Sequence, residues 1–283
     1  MVLESIITPF KAELHPRKLF LIGFVYCSVA IFLSLWIFRS YSSLIMVFLT
    51  TIACVPLMYN TIKMEEEKDL QDMGERWLLK EHKKALFAFI FLFLGITIAA
   101  TLWYVVLPAD TSAILFESQI ETITTINGGV TGFATREMSI FISIFLNNIK
   151  VFIFCVLFSF LYGSGAIFIL TWNASVIGAA IGNFIRSNLS FYADTVGFEK
   201  TAQYFQIISV GLLKYVIHGV PEIFAYFVAG LAGGIISVAV IRHDFGSRKF
   251  EHILLDSADL LLLSILLLFI AGLLEVYVTP VIF

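Results

Sequence analysis

Charge is what this chain has least of. Lys, Arg, Asp and Glu make up 14% of its 283 residues, where soluble domains carry about 25%. The net charge is −3 and no basic stripe is present, so a nucleic-acid partner is not expected. Only three cysteines occur, Cys27, Cys54 and Cys155. All fall inside apolar blocks without CxxC spacing or a paired His, and they read as small packing residues rather than metal ligands. Catalytic signatures are missing too: there is no Walker A, HExxH or GxSxG motif. The glycine-rich Ile126-Asn-Gly-Gly-Val130 reads as a turn and not as a phosphate loop. These absences argue against an enzyme, and no cofactor or metal is read from the sequence.

What is present is apolar. Hydrophobic residues make up 59% of the chain, with 29 Phe, and they come in blocks. A run of about 20 apolar residues crosses a bilayer. Residues 19–38 form the first such block, preceded by Lys11, Arg17 and Lys18. It is too long for a signal peptide and lacks a cleavage site of small residues. Ahead of it, Ile6, Ile7, Phe10 and Leu14 among polar neighbours suggest a short helix at the membrane interface. A second, shorter block covers 44–59. The strongly charged stretch that follows reads as a cytoplasmic helix over 60–84, feeding a third span at 85–107. Its acidic residues come first and its basic ones last, as the helix dipole favours. Residues 108–139 are polar and turn-rich, with Arg136 as their one basic residue.

Two long apolar stretches come next. The first is expected to break at Trp172-Asn-Ala-Ser175, leaving a full span (150–172) and a short piece (175–185). The second is expected to break at His218-Gly-Val-Pro221, leaving a short piece (204–217) and a full span (221–241). A last span covers 260–278. The expected fold is thus an all-α polytopic transmembrane bundle of about six or seven spans, with broken or re-entrant helices between 173 and 221. Placing the N-terminus, residues 60–84 and residues 242–256 inside puts 12 of the 18 Lys and Arg there, as the positive-inside rule asks. The 108–139 loop is then outside, the C-terminus ends outside, and the setting is the plasma membrane. The threading of 174–217 stays open.

Polar groups within apolar spans are costly and each asks for a reason. His218, Gly219 and Glu222 mark the second break. They fit either a site for an ion, proton or polar headgroup, or a cap with a His–Glu hydrogen bond holding the break together. Glu275, late in the last span, either finds a partner such as Lys214 or reaches outer water. Asn147 and Asn148 open the fourth span, and Asn173 sits at the first break, where it can cap the helix that follows. These residues are the candidate polar site. Gly178, Gly182, Gly230, Gly233 and Gly234 read instead as small faces for close helix packing, within the protomer or in a homo-oligomer. Paired helix breaks also mark binding sites in many transporters.

Several stretches resemble the stage II sporulation protein M family: Ile144-Phe-Leu-Asn-Asn-Ile-Lys-Val151, Asn173 with Gly178, His218-Gly-Val-Pro-Glu-Ile223, Ala229-Gly-Leu-Ala-Gly233 and Leu274-Glu-Val-Tyr-Val-Thr-Pro280. They cover about residues 140–283. Ala174 and Pro221 depart from the family pattern. Residues 1–107 then read as an N-terminal extension with three spans, followed by the 108–139 loop and the family core. The resemblance implies a scaffold or membrane-remodelling component that works with other membrane proteins in the lipid bilayer. A transporter or lipid- or ion-translocating protein, with its site near His218 and Glu222, is the alternative.

Overall fold

The computed structural model describes residues 9–69, 75–128, 136–162, 165–191, 197–241 and 248–282. Residues Ile6 and Ile7 of the expected interfacial helix, the Gly129–Gly132 turn and Arg242 lie outside them. The described chain is α-helical: α1 (Pro9–Leu14), α2 (Pro16–Ile37), α3 (Ser42–Asp69), α4 (Glu75–Val106), α5 (Ala109–Leu115), α6 (Glu117–Gly128), α7 (Arg136–Tyr162), α8 (Ala166–Phe191), α9 (Gly197–Ile241) and α10 (Arg248–Leu273). A π-helical turn, Leu274–Val278, and a short α11 (Thr279–Ile282) extend α10.

Seven of these helices are long and apolar enough to cross a membrane: α2, α3, α4, α7, α8, α9 and α10 with its extension. Among the described residues the chain is therefore an all-α, multi-pass helix bundle. Most successive spans are joined by short connections and run antiparallel, while helices α5 and α6 lie between α4 and α7. Spans α2, α4, α8 and α10 run one way, and α3, α7 and α9 run the other.

Both expected helix breaks are absent. Helix α8 continues through Trp172–Ser175, and α9 is one helix of 45 residues that carries Pro221 inside it. The reasons are local. The Asn173 amide donates to the Ile169 carbonyl at 2.8 Å, and the Ser175 hydroxyl donates to the Trp172 carbonyl at 2.7 Å. Each polar side chain thus satisfies itself on its own helix. Pro221 removes one N–H, the partner of the Ile217 carbonyl, and transmembrane helices tolerate such a loss when neighbours support the helix. Asn173 is accordingly not a cap, and Glu222 does not open a new helix. The chain turns back between α7 and α8 near Gly165 instead, where a side chain would meet the Phe158 carbonyl. The charged stretch 60–84 is also not one helix. Helix α3 runs on to Asp69 and α4 begins at Glu75, and the buried pair Glu65–His82, 2.7 Å apart, ties the two ends together. The polar 108–139 stretch contains helices α5 and α6.

Close packing, not apolar burial, must hold such a bundle, because lipid is as apolar as Leu. Small residues do this here. An added side chain carbon at Gly23 or Gly95 would strike the backbone of the facing helix, at Leu92 and Phe20 respectively. One at Gly178 or Gly182 would lie 2.6 Å from Ala100 or Tyr104 of α4. Gly230 and Gly233 sit against Ala166 of α8 and the Val156 carbonyl of α7. Gly234 is buried beside them. The most enclosed spans are α9 and α4, with 78% and 67% of their spanning windows buried, while α2, α7 and α10 lie at the rim with 17–28% buried. The cavity described next opens where rim helices α7 and α10 meet α8 and α9.

Candidate functional site

Residues 215, 218, 219, 222 and 226 follow one another at helical spacing, so on an unbroken α9 they share one face. That face carries Tyr215, His218, Gly219, Glu222 and Tyr226. A cavity of about 200 Å³ lies over the first four of these, closed by Ile144, Asn147 and Asn148 of α7, Asn173, Val176, Ile177 and Ala180 of α8, Ile123 of α6, and Glu275 of the π-helical turn. A single water needs roughly 10–15 Å³, so the space has room for several waters. Every residue of the expected polar site, Asn147, Asn148, Asn173, His218, Gly219, Glu222 and Glu275, lines this one cavity.

The geometry assigns partners to some of these groups. The Tyr226 hydroxyl donates to Glu222 Oε1 at 2.9 Å, from a ring that is 1% exposed. His218 Nδ1 lies 3.3 Å from the Thr279 hydroxyl oxygen, and that hydroxyl donates to the Leu274 carbonyl at 3.0 Å. A hydroxyl has one proton to give. With it spent on Leu274, His218 is the donor through Nδ1–H, and Nε2 is left as an acceptor. Glu222 therefore hydrogen-bonds Tyr226 rather than His218. The Thr279 backbone N–H also bonds the Leu274 carbonyl, five residues back, as a π turn requires, and this turn is what carries Glu275.

Other groups are left over. Asn148 is 4% exposed, and its amide nitrogen has no partner among the described residues. Glu275 has no hydrogen-bond partner among the described residues. Lys214 sits over the Phe184 ring at 5.6 Å and forms no ion pair with Glu275 among the described residues. Around Gly219 nothing lies within 4 Å of an added side-chain carbon, so this glycine leaves space where the packing glycines fill it. Among the described residues no three His, Cys, Asp or Glu side chains converge as a metal set.

A second, more open hollow of about 500 Å³ shares Asn147, Asn173 and Val176 with the first. It is lined further by Glu121 and Thr122 of α6, Val151 and Phe154 of α7, and Ile169 and Trp172 of α8. Tyr215, Tyr226 and Thr279 are absent from the sequence-derived set. The stripe 215/218/222/226 is the signal that points to the two tyrosines, and it is visible only if the helix is taken as continuous through Pro221. Thr279 lies inside the Leu274–Pro280 stretch that resembles the family, but nothing in the sequence points to its side chain as a partner for His218.

Fold and site together define a multi-pass α-helical membrane protein with a polar cavity inside its transmembrane bundle. Residues 85–280 match the stage II sporulation protein M family, and the chain belongs to it. The match takes in the third span and helices α5 and α6 as well as the motif-bearing stretch. No curated protein and no solved structure matches the chain.

Proposed function

We propose that this chain is a non-enzymatic plasma-membrane protein that binds a small cationic ligand in its bundle and passes it between sides of the membrane or along it. The observation that carries this reading is one cavity with two carboxylates, Glu222 and Glu275, and no Lys or Arg among its described lining residues. A carboxylate inside a bundle is costly without a counter-charge, and a bound cation supplies one. Open space over Gly219 and the unpartnered Asn148 amide support a ligand in the same place. An enzymatic reading is weaker: Thr279, the hydroxyl beside His218, donates to a backbone carbonyl, so His218 does not act as its base. A scaffold that assembles other membrane proteins or a homo-oligomer follows from the family but from no feature of the cavity. The N-terminus is read as cytoplasmic from the distribution of Lys and Arg.

The test is thermal unfolding of the purified protein in neutral detergent, titrated with methylammonium chloride against sodium chloride at equal ionic strength. A saturable rise in Tm is expected with methylammonium. At about 100 times Kd, binding contributes roughly 2.7 kcal/mol. The rise is expected to vanish in a Glu222→Gln/Glu275→Gln double variant that remains folded. No rise in the wild type, or the same rise in the double variant, would return the protein to the scaffold reading.

A further inference from the structure

The two hollows meet at Asn147, Asn173 and Val176, and they differ in chemistry. The inner one is polar, with Glu222, Glu275, His218 and Asn148. The outer one carries Glu121 and Thr122 of α6, and beyond Asn147 and Asn173 it has apolar walls, with Val151 and Phe154 facing Ile169 and Trp172 in a groove between α7 and α8. Val151 and Phe154 continue the helix face of Asn147 at spacings of four and seven residues. Ile169 continues the face of Asn173 on α8. Because the two helices run antiparallel, Val151 and Phe154 lie on the same side of the amides as Ile169, and together they make an apolar track leading away from Asn147 and Asn173. Phe154 is 51% exposed and lies within a spanning segment, so the groove opens towards lipid.

Resting on the reading of the cavity as a cation site, we propose that its ligand is a bilayer aminophospholipid, which enters sideways between α7 and α8. Its primary ammonium sits at Glu222 and Glu275. Its phosphate accepts from the Asn148 amide, whose donor is otherwise unused. Its acyl chains lie along Val151, Phe154, Ile169 and Trp172. The charges select this occupant. An anionic headgroup would face two carboxylates with no Lys or Arg among the described lining residues, and a quaternary ammonium has no N–H to donate to them. A soluble amine would make no use of the apolar groove.

The experiment uses the full chain purified in neutral detergent and incubated with equal amounts of phosphatidylethanolamine, phosphatidylcholine and phosphatidylglycerol of identical acyl chains. Lipids retained after exchange are counted by native mass spectrometry. Phosphatidylethanolamine is expected at least fivefold over each of the others. That preference is expected to be lost in Glu222→Gln/Glu275→Gln, and also in Val151→Trp, which fills the groove. Val151→Trp should still elute as a single species and keep its methylammonium-dependent rise in Tm, which separates a blocked groove from a lost fold. Equal retention of the three lipids, or a preference untouched by Val151→Trp, would overturn the proposal. If the methylammonium effect stands while the lipid preference fails, the site takes a soluble cation, and only the lipid assignment falls.

Discussion

Tyr226 shows how one residue governs the site. Its ring is buried among apolar neighbours and its hydroxyl donates to Glu222 at 2.9 Å. Removing the hydroxyl leaves a carboxylate oxygen inside the bundle with one partner fewer, which costs about 1–3 kcal/mol. Tyr226→Phe should therefore lower the thermal midpoint in detergent, and adding Glu222→Gln to it should recover part of the loss, since the neutral amide is cheaper to bury unpaired. An additive loss from the two changes would mean the pair does not act as a unit. At this scale the sequence was informative about which residues matter. Asn148, His218, Glu222 and Glu275 stand out because a polar group in an apolar run is expensive. Their partners were not legible. Lys214 looks like the natural mate for Glu275, but it lies over Phe184, because which faces meet is decided by helix rotation.

At the scale of elements, the spans were readable from apolar blocks, whereas the continuity of the helices was not. Gly219 and Pro221 are helix breakers in water. In lipid an unpaired backbone group is costly, so the helix persists through them. Likewise, Asn173 and Ser175 look like a cap and are in fact bonded back onto α8. The π-helical turn at Leu274–Val278 has no sequence signature beyond Thr279, whose hydroxyl bonds the Leu274 carbonyl. Glycines divide by what they face. Gly178 abuts α4, with Ala100 only 2.6 Å from an added carbon, whereas Gly219 faces open space. Gly219→Ala should thus be neutral, or stabilising by up to about 1 kcal/mol through helix propensity. Gly178→Leu should force α4 and α8 apart and lower the thermal midpoint strongly. A comparison of the two variants by melting in detergent checks this, and equal effects would contradict the assignment of the two faces.

For the whole molecule, the sequence conveys the class but not the interior. Scarce charge and long apolar blocks lead to a polytopic bundle, and Lys and Arg placement leads to an orientation. On the proposed topology, crossing by all seven candidate helices would put Pro16 and Ile282 on opposite sides of the membrane. Reporter fusions should accordingly be active on the cytoplasmic side at the N-terminus and on the outer side after Ile282; both on one side would contradict seven crossings. The cavity was legible only as a collection of odd residues on four separate stretches. That they converge depends on α7, α8, α9 and the π-helical turn meeting at one point, and this is a property of packing.

The central claim is that this meeting point is a water-accessible chamber that favours cations. The most direct measurement is chemical labelling of Gly219→Cys in membranes, since the native Cys27, Cys54 and Cys155 are buried. Aminoethyl methanethiosulfonate, a cation, is compared with sulfonatoethyl methanethiosulfonate, an anion. The account predicts that the cationic reagent modifies position 219 at least tenfold faster, and that Glu222→Gln with Glu275→Gln abolishes the difference. No reaction with either reagent, or equal rates with both, would contradict it.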